Sequence, residues 1–124
     1  SLVKKFKKTC RKTGINTLLG QKNVVCMEEY ERNIRSMIEM TLPRSVFLID
    51  TIPNREVERN SAIQQYNSIL DSVSDEYDQC FKVDLFNYFS SEFHRFYQDN
   101  THCNDEGYEG IATIIHDKIM QLDF

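Results

Sequence analysis

The sequence has no long apolar run and no recognisable export signal. Its uncharged apolar runs are short, as at Val46–Ile49, whereas a helix that spans a bilayer needs about 20 consecutive apolar residues. The sequence therefore excludes a transmembrane helix. The basic region, apolar region and cleavage site of a signal peptide do not occur together, and we expect a cytoplasmic location.

Paired cysteine motifs are also missing. The four cysteines stand at 10, 26, 80 and 103, without a C-x-x-C pair, which excludes zinc ribbons and thioredoxin-like redox motifs. A chain of 124 residues does not need disulfides to fold, and we expect buried free thiols. A metal site of Asp84, Glu92 and His94 with Asp99 and His102 would match no ligand spacing. We predict no metal and no cofactor.

Acidic and basic residues are unevenly distributed. The chain carries 15 basic and 19 acidic side chains, for a formal net charge of −4, and six of the basic ones lie in residues 1–12, where there is no acid. The rest of the chain is therefore strongly acidic and would repel the phosphates of a nucleic acid. We interpret residues 1–12 as an amphipathic helix with a solvated basic face and predict no nucleic-acid partner.

Apolar periodicity alternates between the helical and the extended pattern. Helices are predicted at 2–12, 27–40, 56–73 and 105–122, strands at 15–19, 45–50 and 80–86, and an aromatic-rich loop, with room for a helical turn, at 87–101. This order is typical of a single three-layer α/β/α domain with a parallel sheet, here spanning 1–124. Three strands are few for such a sheet, and the chain opens on a helix. We therefore expect a fold that is incomplete at its N-terminus, with an exposed sheet edge that favours self-association.

The loops that follow the strands are the first candidates for function, because open α/β sheets bind ligands beyond the carboxyl ends of their strands. These loops are 20–23, 50–54 and 87–104. The third contains Asp99, three residues before His102. An aspartate at this spacing can accept a hydrogen bond from the imidazole, fix its tautomer and leave the other ring nitrogen free as a base. The alternative is a loop histidine beside a capping acid, with no chemistry.

The motif D-x-x-H-x-N-x-x-G-Y at 99–108, which opens the last predicted helix, resembles the C-terminal block of the SGNH (GDSL-type) hydrolases. Upstream segments are similar to other blocks of that family: LLGQKN at 18–23, MEEYERNI at 27–34, VFLIDTIP at 46–53 and the residues from 60 to 67. The resemblance covers most of the chain. It implies a flavodoxin-like α/β/α fold and ester-hydrolase activity.

The resemblance also implies roles for particular residues. His102 would be the general base, Asp99 the residue that orients it, and Asn23 with Gly20 the oxyanion-binding groups. The substrate would be a small-molecule or carbohydrate ester, either O-acetyl or short acyl. In GQKN at 20–23, however, the asparagine stands one place later than in the family's G-x-N-D block, and the aspartate is missing. The Gly-Asp-Ser of the family is absent, so the nucleophilic serine would lie outside this chain.

Other interpretations stay open at this point. The chain could be a truncated or degenerate relative that serves as a non-catalytic binding or structural module. Cys103 could act as a thiol nucleophile beside His102, and Ser1 could replace the missing serine. His116 is interpreted as a surface residue. A group of aromatic side chains could line a substrate pocket or fold onto the core: Phe86, Tyr88, Phe89, Phe93, Phe96 and Tyr97.

Overall fold

The computed structural model describes residues 25–122, together with Lys5 and Thr9, both of which are helical. The Thr9 hydroxyl donates a hydrogen bond to the Lys5 carbonyl at 3.1 Å, as one turn of a helix places them. The rest of the predicted helix at 2–12, the predicted strand at 15–19 and the candidate residues Gly20 and Asn23 lie outside the described residues.

Within residues 25–122, helices and strands follow one another in the predicted order. The helices are α1 (Met27–Thr41), α2 (Asn60–Ser74, after a 3₁₀ turn at Val57–Arg59), α3 (Phe86–Ser90), α4 (Phe93–Phe96) and α5 (Asp105–Met120), and the strands are β1 (Val46–Ile49) and β2 (Cys80–Val83). No helix in this part of the chain has the length and apolarity that a membrane span requires.

In the second half of the chain, the predicted end of the strand is wrong, and the predicted loop has two short helices where one helical turn was allowed for. β2 ends at Val83 rather than at 86, and the predicted loop at 87–101 contains most of α3 and all of α4. The N–H of Phe86 instead lies 3.4 Å from a carboxylate oxygen of Asp50. This contact and the burial of Phe89, one helical turn further on, favour a helix over a longer strand.

β1 and β2 form a parallel two-stranded sheet, in which Val46 pairs with Cys80 and Ile49 with Val83. α2 lies between them in the chain and provides the crossover that parallel strands require. Along β1, Phe47 and the next residue pack against different apolar clusters, since side chains of a strand alternate in direction. The structure thus confirms a mixed α/β chain with parallel strands.

Two apolar clusters form the core of the described residues. One joins α1 and α2 to the sheet and consists of Ile38, Leu48, Leu70, Val73 and Cys80. The other gathers the end of β2, α3, α4 and the segment before α5, and consists of Val83, Leu85, Phe89, Phe96, Tyr97 and Cys103. The aromatic segment therefore belongs mainly to the core, through Phe89, Phe96 and Tyr97.

The three cysteines between 25 and 122 are free thiols, as predicted. Cys80 and Cys103 are buried, but Cys26 is exposed because it precedes the first turn of α1, so the prediction of burial was wrong there. Burial raises the pKa of both the Cys80 and the Cys103 thiol. Neither is an activated nucleophile at neutral pH.

The first turn of α5 packs closely against the end of α4. Asn104 caps α5, since its side-chain oxygen accepts a hydrogen bond from the Gly107 N–H at 2.9 Å. The same side chain donates to the Arg95 carbonyl at 2.7 Å. A Cβ atom at Gly107 would lie 2.4 Å from the Phe96 carbonyl oxygen and 2.9 Å from Cβ of Cys103. The glycine of the D-x-x-H-x-N-x-x-G-Y motif is therefore required by packing.

We expect Gly107→Ala to lower the free energy of unfolding by roughly 1–3 kcal/mol, as overpacking does, because the obstructing oxygen belongs to the backbone. Urea unfolding followed by circular dichroism measures the change. Gly110→Ala is the matched control in the same helix. Its Cβ would meet a ring carbon of the half-exposed Tyr88 at 3.3 Å, a longer contact, and with a side chain rather than the backbone, and alanine favours a helix by about 0.5–1 kcal/mol. Equal destabilisation by both substitutions would contradict this account.

Candidate active site

Two of the predicted ligand-binding loops meet in the structure: the loop after β1 and the loop that carries the D-x-x-H motif. The N–H of Arg55 donates to the Asn100 carbonyl at 3.0 Å. The side-chain amide of Asn54 donates to the Thr101 hydroxyl at 3.3 Å. The carboxyl end of β1 thus positions the D-x-x-H loop.

The D-x-x-H loop is a tight turn anchored in the core. Tyr97 and Cys103 form an antiparallel bridge at its base, and both are buried. The Tyr97 hydroxyl donates to the Pro53 carbonyl, and the Gln98 N–H donates to the His102 carbonyl at 2.9 Å. Because Cys103 is buried while the His102 side chain is 66% exposed, the thiol is not placed to act as a nucleophile with this imidazole.

Asp99 and His102 form a hydrogen-bonded pair. Nδ1 of His102 lies 2.7 Å from Oδ2 of Asp99, so the proton of the neutral imidazole is on Nδ1 and Nε2 is an acceptor. The other carboxylate oxygen accepts hydrogen bonds from the N–H groups of Thr101 and His102, each at 2.7 Å. The aspartate therefore shapes the turn and orients the ring at the same time.

These hydrogen bonds determine the charge of Asp99. The backbone N–H of His102, the N–H of Thr101 and the imidazole, in that order, lower the pKa of Asp99 from 3.8 to about 2. The carboxylate is therefore ionised at neutral pH. An ionised partner stabilises the imidazolium that forms when His102 accepts a proton, which is what a general base requires.

Two asparagines of α2 hold the loop after β1 by its backbone. The buried Asn67 accepts a hydrogen bond from the Thr51 N–H and donates one to the Thr51 carbonyl, both at 2.9 Å. Asn60 makes the same two bonds with Asn54, at 2.7 and 2.9 Å. Each side-chain amide thus provides hydrogen-bond partners for a backbone N–H and a backbone carbonyl that lie beyond the end of the strand and have no neighbouring strand to pair with. Neither asparagine was predicted to serve the site, although their seven-residue spacing places them two turns apart on one face of a helix.

A buried ion pair begins at the residue that follows β1. Oδ1 of Asp50 is 2.7 Å from Nζ of Lys82 on β2, and the same ammonium group contacts Asp71 on α2. Burial raises the pKa of Asp50. Burial alone would lower the pKa of Lys82, but its hydrogen bonds to Asp50 and Asp71 outweigh that effect and raise it. Lys82 therefore stays charged and ties the strands to α2, which is a structural role.

The remaining candidate residues are dispersed. His116 is exposed on α5, with Nδ1 3.3 Å from the neighbouring Asp117. His94 is also exposed, and its Nδ1 lies 3.5 Å from the guanidinium of Arg55. Across the described part of the chain, no three His, Cys, Asp or Glu side chains come together as metal ligands. The Asp99–His102 pair is thus the strongest candidate for chemistry.

Comparison with known proteins does not assign a family. A scan against protein-family models finds no match for this chain, and neither a search of curated proteins nor a search of solved structures finds one. The chemistry of the site therefore has to be inferred from its geometry.

Asn67→Asp keeps the size and shape of the side chain but removes the donor to the Thr51 carbonyl and sets a carboxylate against that oxygen. We expect the free energy of unfolding at neutral pH to fall by roughly 1–3 kcal/mol, the cost of leaving buried polar groups unsatisfied. Urea unfolding measures it. Ser68→Ala, at the next and exposed position of α2, is the control and should stay within about 0.5 kcal/mol of wild type. A fully stable Asn67→Asp protein would show that the clamp is dispensable.

The hydrogen bonds to Asp99 predict its titration. Because its pKa is depressed from 3.8 to about 2, the stabilisation of the turn is fully present above pH 3.8 and is lost as the pH falls through about 2. Carboxyl ¹³C NMR of Asp99 measures this pKa. In His102→Ala we expect it to stay below 3.8, because the backbone N–H groups are the larger contributors. A return to 3.8 in that variant would mean that the ring, rather than the turn, sets the charge.

Proposed function

We propose that this chain is part of an SGNH-type ester hydrolase in which His102 is the general base and Asp99 orients it. The observation that carries the proposal is the 2.7 Å hydrogen bond between Nδ1 of His102 and Oδ2 of Asp99, in a turn where the same carboxylate accepts two backbone N–H groups. An exposed histidine held in one tautomer by an ionised carboxylate suits general-base catalysis.

The position of the pair supports the same proposal. The D-x-x-H loop is joined to the loop at the carboxyl end of β1, and open α/β sheets bind ligands at that edge. The parallel pairing of β1 and β2, connected through α2, is compatible with the three-layer flavodoxin-like fold that the resemblance implies. That fold is part of the proposal.

In the proposed reaction, a serine hydroxyl attacks the ester carbonyl while Nε2 of His102 takes its proton. The carbonyl electron pair moves onto oxygen, and Asn23 and Gly20 are the proposed donors to that oxyanion. When the intermediate collapses, the alcohol leaves with the proton from His102, and water then hydrolyses the acyl-serine in the same way. Since the sequence contains no Gly-Asp-Ser, we propose that the serine lies outside it.

The competing hypothesis is a non-catalytic relative that binds a partner without turnover. Both hypotheses retain the Asp99–His102 turn, so stability does not distinguish them. A hydrolase loses turnover when the imidazole of His102 is removed, whereas a binding module has no turnover to lose.

In the natural protein that contains these residues, we expect His102→Ala to lower kcat for 4-nitrophenyl esters by about 10²–10⁴-fold, the usual contribution of a general base. Tm should not change, because the imidazole is 66% exposed. His116→Ala is the matched control, since His116 is also exposed and lies beside an aspartate. It should keep the wild-type kcat.

Asp99→Asn separates the orientation of the ring from the shape of the turn. The asparagine keeps an oxygen for the N–H groups of Thr101 and His102 but presents an amide to Nδ1, which favours the wrong tautomer. We expect kcat to fall, and Tm to fall modestly, because a neutral amide oxygen accepts the two N–H groups more weakly than the carboxylate does. Unchanged turnover in His102→Ala and Asp99→Asn, or no esterase activity in the wild type, would overturn the proposal.

A further inference from the structure

An apolar cavity of about 610 Å³ opens between α1, the loop after β1 and α2. Its walls come from Tyr30, Ala62, Ile63 and Tyr66, and polar atoms are supplied by Thr51, Asn54 and Arg59. Volumes of about 300–1,000 Å³ are typical of small-molecule sites. The proton transfers of the proposed mechanism do not use this cavity.

Two polar side chains of the cavity, Tyr66 and Arg59, already have partners. The Tyr66 hydroxyl donates to the Val25 carbonyl at 2.6 Å, and its ring packs edge-to-face on Tyr30, with the centroids 5.0 Å apart. Arg59 is neutralised by Glu56 at 2.8 Å. None of the seven described lining residues is acidic. The described lining residues therefore present mostly rings and methyl groups and no unpaired charge, which favours an uncharged ligand with an apolar group over a charged one.

One side chain connects the cavity to the D-x-x-H turn. Asn54 lines the cavity, and its amide donates to the Thr101 hydroxyl at 3.3 Å. The N–H of Thr101 in turn donates to the carboxylate oxygen of Asp99 that also accepts the N–H of His102. The cavity wall and the base are thus parts of one hydrogen-bonded unit.

We propose that this cavity binds the acyl chain of the ester, so that the preferred substrates carry an apolar acyl chain of medium length rather than an acetyl group. The inference rests on the proposed function and narrows its substrate class. An acetyl group has one methyl to bury and would leave most of the 610 Å³ to water. Each further methylene removed from water strengthens binding by up to about fourfold.

Binding can be tested separately from catalysis with methyl n-alkyl ketones, from propyl to octyl, which are neutral ester analogues that cannot be hydrolysed. Titration of the 124-residue chain followed by ¹H–¹⁵N NMR gives Kd for each ketone. We expect Kd to fall about two- to fourfold per added methylene, with the amide shifts clustered around Ala62, Ile63 and Tyr66.

Matched variants locate the ligand. Ala62→Trp fills the cavity and is expected to weaken binding of the octyl ketone at least about tenfold. Ala112→Trp makes the same change at a position of α5 that is exposed, as Ala62 is, but does not line the cavity, and it should bind as the wild type does. His102→Ala should also bind as the wild type does, because the alkyl chain does not need the base.

The preference for acyl chain length is measured as kcat/KM with the natural protein that contains these residues. Octanoyl esters should have a kcat/KM at least about tenfold above that of acetyl esters, and Ala62→Trp should remove the difference. Chain-length-independent ketone binding, or an Ala62→Trp protein with unchanged preference, overturns the inference even where His102→Ala abolishes turnover. The ketones could instead bind as expected while His102→Ala leaves turnover intact. The cavity would then still be a site for apolar ligands, but the inference that it holds the acyl chain beside the base would be overturned.

Discussion

The side-chain amide of Asn67 makes the contact on which the candidate site depends. β1 ends at Ile49, and the chain beyond it turns away from the sheet, so its peptide groups lose the partners that a strand supplies. Asn67 replaces those partners at Thr51, and Asn60 repeats the arrangement at Asn54. A buried peptide group left unsatisfied costs about 1–3 kcal/mol. The path of this loop is therefore set by two polar residues of α2 rather than by apolar packing alone.

The loop held in this way positions both parts of the proposed catalytic unit. The backbone of Arg55 and the side chain of Asn54 bind the D-x-x-H turn, while Thr51 and Asn54 also line the apolar cavity. A displacement of α2 would move the proposed base and the proposed acyl site together. Because catalysis is sensitive to misplacement of about 1 Å, a shared support of this kind preserves their relative geometry even where neither is deeply buried.

Features that follow from a repeating or local spacing were predictable from the sequence, including the parallel strands, whereas long-range contacts made by single polar residues were not. Helical periodicity predicted α1, α2 and α5, and the three-residue spacing of Asp99 and His102 predicted their contact, because one turn of chain decides it. The Asn67–Thr51 contact crosses 16 positions, and a polar residue on a helix leaves no apolar pattern that would reveal it. The end of β2 was missed for a similar reason, since the contact of Phe86 with Asp50 spans 36 positions.

Two aspartates show why residue type alone does not identify the site. The side chain of Asp50 is 3% exposed and that of Asp99 is 51% exposed. Burial raises the pKa of Asp50, whose charge is compensated by Lys82, whereas hydrogen bonds lower the pKa of Asp99 to about 2. Because the charge of Asp50 is already compensated by the Lys82 ammonium group, this carboxylate would have little electrostatic influence on a substrate. Asp99 instead faces His102, whose charge can change within a reaction cycle, so its surroundings suit chemistry while those of Asp50 suit the fold.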